Sequence, residues 1–484
     1  MTRFLILGAG PTGLGAARQL EIRGCRDWAL LDSGAQPGGL AASFTDPQGF
    51  TWDIGGHVQF SHYDYFDAAM DEFLGEDGWL HHQRAAYVWL RERFIPYPFQ
   101  NNIRRLPDDD LDRCLQGLVD ITRSPRAEPR TFRDWIHAKF GPGIADVFLL
   151  PYNFKVWAYP PERMGVGWMG ERVAVTDLGR VLSNLVHARD DVSWGPNNTF
   201  RFPRQGGTGE IWRACAARLP RSNIFLNTEA VEVDLAQRMV RTTDGTAFTY
   251  DRLISTIPLK ELIRLSGQGQ LKAKAEQGLL HSSSHIVGLG LRGAPGPELA
   301  GKCWIYFPEN NCPFYRVTVF SNYSPRNVPD ITKNWSLMCE VSESSCKPVN
   351  RASLVEDVIQ GALNTRLLED RDDIVSTWQY TAEYGYPTPG LDRDEALAEL
   401  IPYFEQYDVF SRGRFGMWKY EVSNQDHSFM QGVEIVERLV TGRPEITATD
   451  PDRVNAAKHP WPYDEWAEAE APCRETLMSA SGAT

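Results

Sequence analysis

The 484-residue chain has no apolar run near the roughly 18 residues that a membrane span requires. Its opening, MTRFLILGAG, carries only a short apolar run before glycines, which reads as a buried strand and not a secretory signal. Cysteine is sparse: eight residues are scattered with no Cys-x-x-Cys pair and no zinc-like Cys/His spacing. That excludes a disulfide framework and a structural metal site, and it suits reduced core thiols of a cytoplasmic protein. Positive charge is also short, with a net charge of -13. General binding to nucleic acid or to an anionic membrane is thereby excluded, while a local basic pocket for phosphates is not. There is no internal repeat and no long low-complexity tract. At 42% hydrophobic and 23% charged, the composition is that of a globular protein with a sizeable core. The length points to about three domains.

Glycine, by contrast, is present where it carries meaning. An apolar run, Phe4 to Leu7, leads into Gly8-Ala9-Gly10-Pro11-Thr12-Gly13, then a stretch with helical spacing, then a second apolar run ending at Asp32. In this strand–turn–helix–strand–acid order Gly8 makes the tight turn, Gly10 admits a pyrophosphate and Gly13 lets helix meet strand. The helix N-terminus adds N–H donors and partial positive charge. Asp32 stands where an acid accepts a ribose hydroxyl, with a surface acid as the lesser alternative when it is taken alone. A dinucleotide is expected. Two more glycine pairs follow, Gly38-Gly39 before Leu40, and Gly55-Gly56 before His57. Missing side chains at several places suit a long ligand lying against backbone; an ordinary turn is the alternative at Gly38-Gly39.

Residues 105 to about 190 read as mainly helical, with Asp108-Asp109-Asp110 placing negative charge at a helix N-terminus or forming a solvated acidic turn. Runs at 285–291, 304–307 and 316–320 read as strands of a sheet domain, 253–258 as a buried strand and 424–440 as a helix. The expected organisation is α/β. A discontinuous Rossmann-type dinucleotide-binding domain takes 1–75, 205–262 and 408–447. An inserted mainly helical domain spans 105–190, and an antiparallel β-sheet substrate domain takes 76–104 with 263–407. A peripheral tail, rich in Pro, Ala and acids, covers 448–484.

Longer segments carry a resemblance. GFTWDIGGHVQFSHYDYFD, PYPFQNNI, PYNFKVWAYP, WMGERVA, WGPNNTFRFPRQGGTGEIW, KCWIYFPENNCPFYRVTVFSNYSP, GYPTP and GRFGMWKYEVSNQDHSFMQGVE together resemble the UDP-galactopyranose mutases, the eukaryotic (fungal and kinetoplastid) type more than the bacterial one. The likeness extends over nearly the whole chain. It implies interconversion of UDP-galactopyranose and UDP-galactofuranose with no net redox change. Reduced FAD acts through its N5 as the nucleophile on the anomeric carbon. NADPH or another reductant is implied for activation, and a homodimer is one possible assembly.

The resemblance also assigns residues. Arg172 and Arg316 match the two arginines that meet the diphosphate, where a planar fork suits phosphate oxygens; each alone would read as a surface ion-pair residue. Tyr306, Tyr323, Tyr386 and Tyr420 match positions around diphosphate and sugar, with core tyrosines as the alternative, and Trp304 accompanies them. Tyr97, Phe99, Gln100, Phe148, Asn153 and Trp157 match the uridine pocket, and Asn197 lies near sugar and flavin. His57 follows the glycines beside the isoalloxazine ring and is expected to act on flavin or sugar protons, unless it is a structural histidine; His62 supports it. Arg414 matches a residue near the FAD pyrophosphate. Asn424 and Gln425 open the helix that faces the flavin, and Val231 is expected at the adenine end.

Three positions depart from the pattern. Gln59 stands where an aliphatic residue is expected, Ala86 replaces a hydroxyl residue near the pocket entrance, and Trp89 replaces a basic one. Gln59 motivates an alternative in which the same scaffold takes another nucleotide sugar. A flavin amine-oxidase-like oxidoreductase is the second alternative, and a non-catalytic nucleotide-sugar binder a further one.

Overall fold

The computed structural model describes residues 2–123, 128–463 and 466. Two seven-stranded sheets organise the chain. The first has a parallel core in which Thr2–Leu7 lies between Trp28–Leu31 and the C-terminal half of Ala247–Ser255. Ile224–Phe225 and Val409–Ser411 extend this core in parallel on its two sides. An antiparallel meander, Ala230–Asp234 with Met239–Thr242, completes the sheet. The apolar runs at 4–7 and 28–31 are buried on both faces, as a parallel sheet covered by helices requires.

The second sheet runs Ile374–Pro387, His281–Arg292, Asn334–Glu343, Arg316–Val319, Trp304–Tyr306, Ala86–Leu90, Arg93–Pro96. All neighbours are antiparallel except Trp304–Tyr306 against Ala86–Leu90. Small residues on its second strand make room for rings: a Cβ at Gly288 would lie 2.6 Å from Trp52, and one at Gly290 would lie 2.7 Å from Phe50. Helices occupy Asp108–Arg123, Phe132–Ile144, Leu150–Trp157 and Leu178–Val186. Thr131 caps the second of these, its hydroxyl accepting from the Asp134 N–H at 3.1 Å while Asp134 accepts from the Thr131 N–H at 3.0 Å. One π-helical turn, Ala145–Leu149, joins that helix to the next and puts Phe148 on a cavity wall; such turns recur at functional sites. The α/β class with a Rossmann-type half, a helical insertion and an antiparallel sheet agrees with the sequence reading. No helix among the described residues is long and apolar enough to cross a membrane.

The C-terminal segment differs from its expected peripheral place. Pro451–Ala456 is helical, and Tyr463 and Trp466 are each 1% exposed, inside the core of the first half. The anchor is buried Glu434, which accepts from the N–H groups of Ile446 and Thr447 at 2.8 Å, the Thr447 hydroxyl at 2.6 Å and the Tyr463 hydroxyl at 2.5 Å. A carboxylate with four donors holds a segment that composition alone reads as loose. Residues beyond 466 lie outside the described residues.

The helices Pro11–Ile22 and Gln425–Thr441 meet almost backbone to backbone. A Cβ on Gly432 would stand 2.0 Å from the Thr12 carbonyl oxygen, and one on Gly15 would stand 2.5 Å from that of Phe429. Gly432→Ala is therefore expected to lower the unfolding free energy by about 1–3 kcal/mol through overpacking, measured by urea denaturation. An unchanged midpoint and slope contradicts this contact.

Candidate active site

The first strand ends at Gly8, whose φ of +103° favours glycine. A Cβ on Gly13 would fall 1.9 Å from the Gly8 carbonyl oxygen, so the turn and the helix start are in contact. Gly10 is different: a Cβ there would meet only the Gly38 carbonyl oxygen, at 3.9 Å, leaving that side open to a cavity. Gly10 caps the Pro11–Ile22 helix without a side-chain bond, so the first N–H groups stay available. The second glycine pair abuts the first. Gly38 donates its N–H to the Ala9 carbonyl at 2.8 Å, and a Cβ on Gly39 would be 3.3 Å from the Gly10 Cα. Asp32 accepts the N–H groups of Ala9 and Gly34, both at 2.6 Å. Burial raises its carboxyl pKa, and these two donors oppose the rise.

Gly8, Gly10, Asp32 and Gly39 line a cavity of about 1090 Å³ with Leu40, Gly55, Gly56, His57, Arg414, Asn424 and Gln425. That exceeds the roughly 300–1,000 Å³ of ordinary ligand sites and fits a dinucleotide as long as FAD. The start of the Gln425–Thr441 helix contributes positive dipole to its wall.

The Gly55-Gly56-His57 segment is held by a carboxylate that the sequence reading does not single out. Glu340 Oε1 accepts from the Gly56 N–H at 3.1 Å and Arg316 Nε at 2.6 Å. Its Oε2 accepts from Arg316 Nη2 and the Tyr315 hydroxyl, both at 2.8 Å. A side chain at position 56 would press on this group, its Cβ 2.9 Å from Thr318 Oγ1 and 3.4 Å from Arg316 Cζ. Burial alone would raise the Glu340 pKa, but the Arg316 cation and the other donors bring it below the ordinary value. Glu340 in turn raises that of Arg316 against burial. His57 is half-buried, and its Nδ1 is enclosed without a partner. Burial, reinforced by Arg316 and Arg414 and opposed by Glu340, pushes its pKa down to about 4, so it is neutral at neutral pH. His62 holds the helix start: its Nδ1 lies 2.7 Å from Asp426 Oδ2, and its ring stacks on His427 at 4.8 Å.

A second cavity, about 240 Å³, adjoins the first. Phe60, Arg172, Asn197, Arg316, Tyr386 and Tyr420 line both. Beyond this junction the small cavity is walled by Tyr97, Gln100, Phe148, Asn153, Trp157 and Tyr306. The Phe148 and Tyr152 rings are stacked at 5.1 Å and 14°. Gln100 is 2% exposed, with Oε1 lacking a partner.

Charge at the junction is unbalanced. Arg172 donates only to the Asn424 side-chain oxygen at 3.0 Å and the Glu421 carbonyl at 2.7 Å. Arg414 donates to the Gly385 carbonyl at 3.0 Å and to Ser423 at 2.9 and 3.1 Å. Neither has a carboxylate partner among the described residues. Burial lowers the Arg414 pKa, and the nearby Arg172 cation adds to this.

Six expected site residues do not line either cavity; Gly13 and Gly38 instead pack against the Gly8 carbonyl and Ala42. Phe99 lies behind the wall, its ring 4.5 Å from that of Phe148. Trp304 and Tyr323 are buried against Phe200 at 6.0 and 5.5 Å, because their stretches of chain turn those rings into the core. Val231 is 44% exposed on the Ala230–Asp234 strand, its side chain facing away from the core. Ala86 and Trp89 are likewise buried in the second sheet and line neither cavity. Conversely, Tyr152, Trp168, Trp194 and Tyr315 line the small cavity without having been singled out. For Glu340 a signal existed: an acid in the apolar-rich strand NWSLMCEVSE, on the face opposite Leu337, Cys339 and Val341.

Comparison with known proteins agrees with this geometry. The family profile of the flavin containing amine oxidoreductases matches residues 11–399. The chain is similar to reduced UDP-galactopyranose mutase in its crystal structure, at 47% identity and a TM-score of 0.92, over 95% of this chain and 98% of that one. A putative protoporphyrinogen oxidase from Exiguobacterium sp. 255-15 shares the fold at 16% identity and a TM-score of 0.69, over 90% of this chain and 98% of that one. A putrescine oxidase does so at 16% identity and a TM-score of 0.57, over 91% and 99%. With the profile matched over most of its length and 47% identity over 95% of it, the chain belongs to the UDP-galactopyranose mutase family of the flavin-containing amine oxidoreductases.

Proposed function

We propose that the chain interconverts the pyranose and furanose forms of a UDP-hexose, UDP-galactose first, with FAD as its cofactor. The charge imbalance at the junction carries this reading. Cations drawn partly out of water without counter-charge are costly, and Arg172 and Arg414, both half-buried, are met only by neutral oxygens. A diphosphate supplies the missing negative charge. The small cavity supports a uridine: the Phe148–Tyr152 stack offers a flat wall, and the unpartnered Gln100 Oε1 is an acceptor for an imide N–H.

Reduced flavin, when bound, supplies an electron-rich N5 as nucleophile toward the anomeric carbon. The chain's own residues do the rest. Arg172 and Arg316 meet charge that develops on the departing diphosphate, with no reorganisation at that moment. Glu340 keeps the Arg316 fork oriented and charged. Tyr386 and Tyr420 flank the junction, their ring centroids 6.0 Å apart. His57 is neutral, so its part is hydrogen bonding and proton positioning at Nδ1, not charge. An amine oxidase has no use for such an arginine junction.

Gln59 favours a second reading of the sugar. It is buried with Nε2 unpartnered, lines the large cavity, and is fixed by paired backbone bonds to Arg201. An unmet donor there suits a hexose with a hydroxyl pattern other than that of galactose. A panel separates the readings. Dithionite-reduced protein incubated with UDP-galactofuranose is expected to yield the pyranose by chromatography, and a faster rate with another UDP-hexose selects the second reading. No conversion of any, or equal rates with oxidised protein, overturns both. NADPH is the proposed reductant, read as bleaching of the flavin absorbance.

Arg172→Gln is expected to lower kcat about 10²–10³-fold, or about 2.7–4 kcal/mol of barrier, by analogy with loss of one oxyanion donor. Single-turnover kinetics measure it, and a change confined to KM contradicts the role.

His57 adds a stability test. Its folded pKa, about 4, lies below the ordinary 6.5, so the unfolded chain binds a proton that the folded one refuses. The stability it contributes is present above pH 6.5 and is lost as the pH falls toward 4. His57→Leu should lose less stability over that window in urea titrations; equal loss refutes the assignment.

A further inference from the structure

Arg84 touches neither cavity, yet it ties together three residues that do. It is 6% exposed and has no carboxylate partner among the described residues. Its fork is spent on one turn. Nη1 donates to Asn197 Oδ1 at 2.6 Å, and Nη2 donates to the carbonyls of Val192, at 3.1 Å, and of Trp194. Its backbone N–H donates to the Asn198 carbonyl at 2.9 Å. The same guanidinium lies 5.3 Å from the centre of the Tyr97 ring, and the Trp194 ring stands edge-on to Tyr97 at 6.1 Å. The turn is built to admit this fork: Gly195 has φ +100°, and a Cβ there would lie 3.1 Å from Arg84 Nη1.

We propose that Arg84 is a positioning residue, a latch that sets Asn197 at the junction and Trp194 and Tyr97 on the aromatic wall. This rests on the reading above that the cavities take a UDP-sugar. The 192–198 turn has little internal bonding, chiefly the Asn198 N–H to the Gly195 carbonyl at 3.2 Å. A site on such a turn needs support from outside to hold its side chains within about 0.5 Å. A planar fork reaches three acceptors in fixed directions, which a lysine ammonium on a flexible stem does not.

The test is a double-mutant cycle of Arg84→Ala and Asn197→Ala in the FAD-loaded enzyme, reading UDP affinity and kcat/KM. Arg84→Ala is expected to weaken UDP binding and lower kcat/KM each about tenfold with FAD content unchanged, a coupling typical of residues in one network. In its background, Asn197→Ala should add little. Arg84→Lys keeps the charge without the fork and should behave as Arg84→Ala; it also carries the test if the alanine variant does not fold. Additive effects, or a lysine variant equal to wild type, overturn the latch. Wild-type enzyme that fails to bind UDP overturns the substrate reading instead. Wild-type binding matched by that of Arg84→Ala overturns the latch alone.

Discussion

One buried carboxylate sets the geometry on which the site depends. Glu340 spends its two oxygens on a guanidinium fork, a phenol and a backbone N–H. A buried ion pair adds little net stability compared with apolar residues of the same shape, but removing one partner is expensive. Such a pair therefore fixes geometry more than it stabilises. Here it locks the Gly55-Gly56-His57 segment to the Arg316–Val319 strand, so cofactor-side backbone and junction cation share one reference point. Glu340 offsets the charge of Arg316 while keeping its fork in place, so Arg172 and Arg414 are left as the junction cations without a carboxylate partner among the described residues.

The parts of the site legible in the sequence are those whose chemistry is local. Gly8, Gly10, Gly13 and Asp32 sit within one strand–turn–helix–strand unit, where spacing along the chain translates directly into spacing in space. The helix starting at Gln425 was legible for the same reason. Arg172 and Arg316 needed the longer resemblance, because nothing local separates a junction arginine from a surface one.

What stayed illegible depends on pairing between distant segments. Glu340 meets Gly56 across 284 positions, and Arg84 meets Asn197 across 113. The aromatics failed differently. Phe99, Trp304 and Tyr323 share short motifs with cavity residues, but neighbouring side chains in a strand or a turn point to opposite sides. A motif therefore names a neighbourhood and leaves the facing side open. The C-terminal segment was misread because composition reports the average solubility of a stretch, whereas the Tyr463 hydroxyl is fastened to Glu434 and Trp466 donates its backbone N–H to the Tyr463 carbonyl.

Arg172 shows how far the site is set by features with no chemistry of their own. Its two acceptors, the Asn424 side chain and the Glu421 carbonyl, belong to the start of the Gln425–Thr441 helix. That start is pinned at one end by the His62–Asp426 contact. Its separation from the dinucleotide helix is set by the absence of side chains at Gly15 and Gly432. Both helix N-termini thus point their dipoles into one cavity at a spacing that glycine contacts dictate. A methyl group at either contact moves the acceptors of Arg172 before it touches any ligand. The placement of that arginine at the junction is in this sense a consequence of how closely two backbones approach.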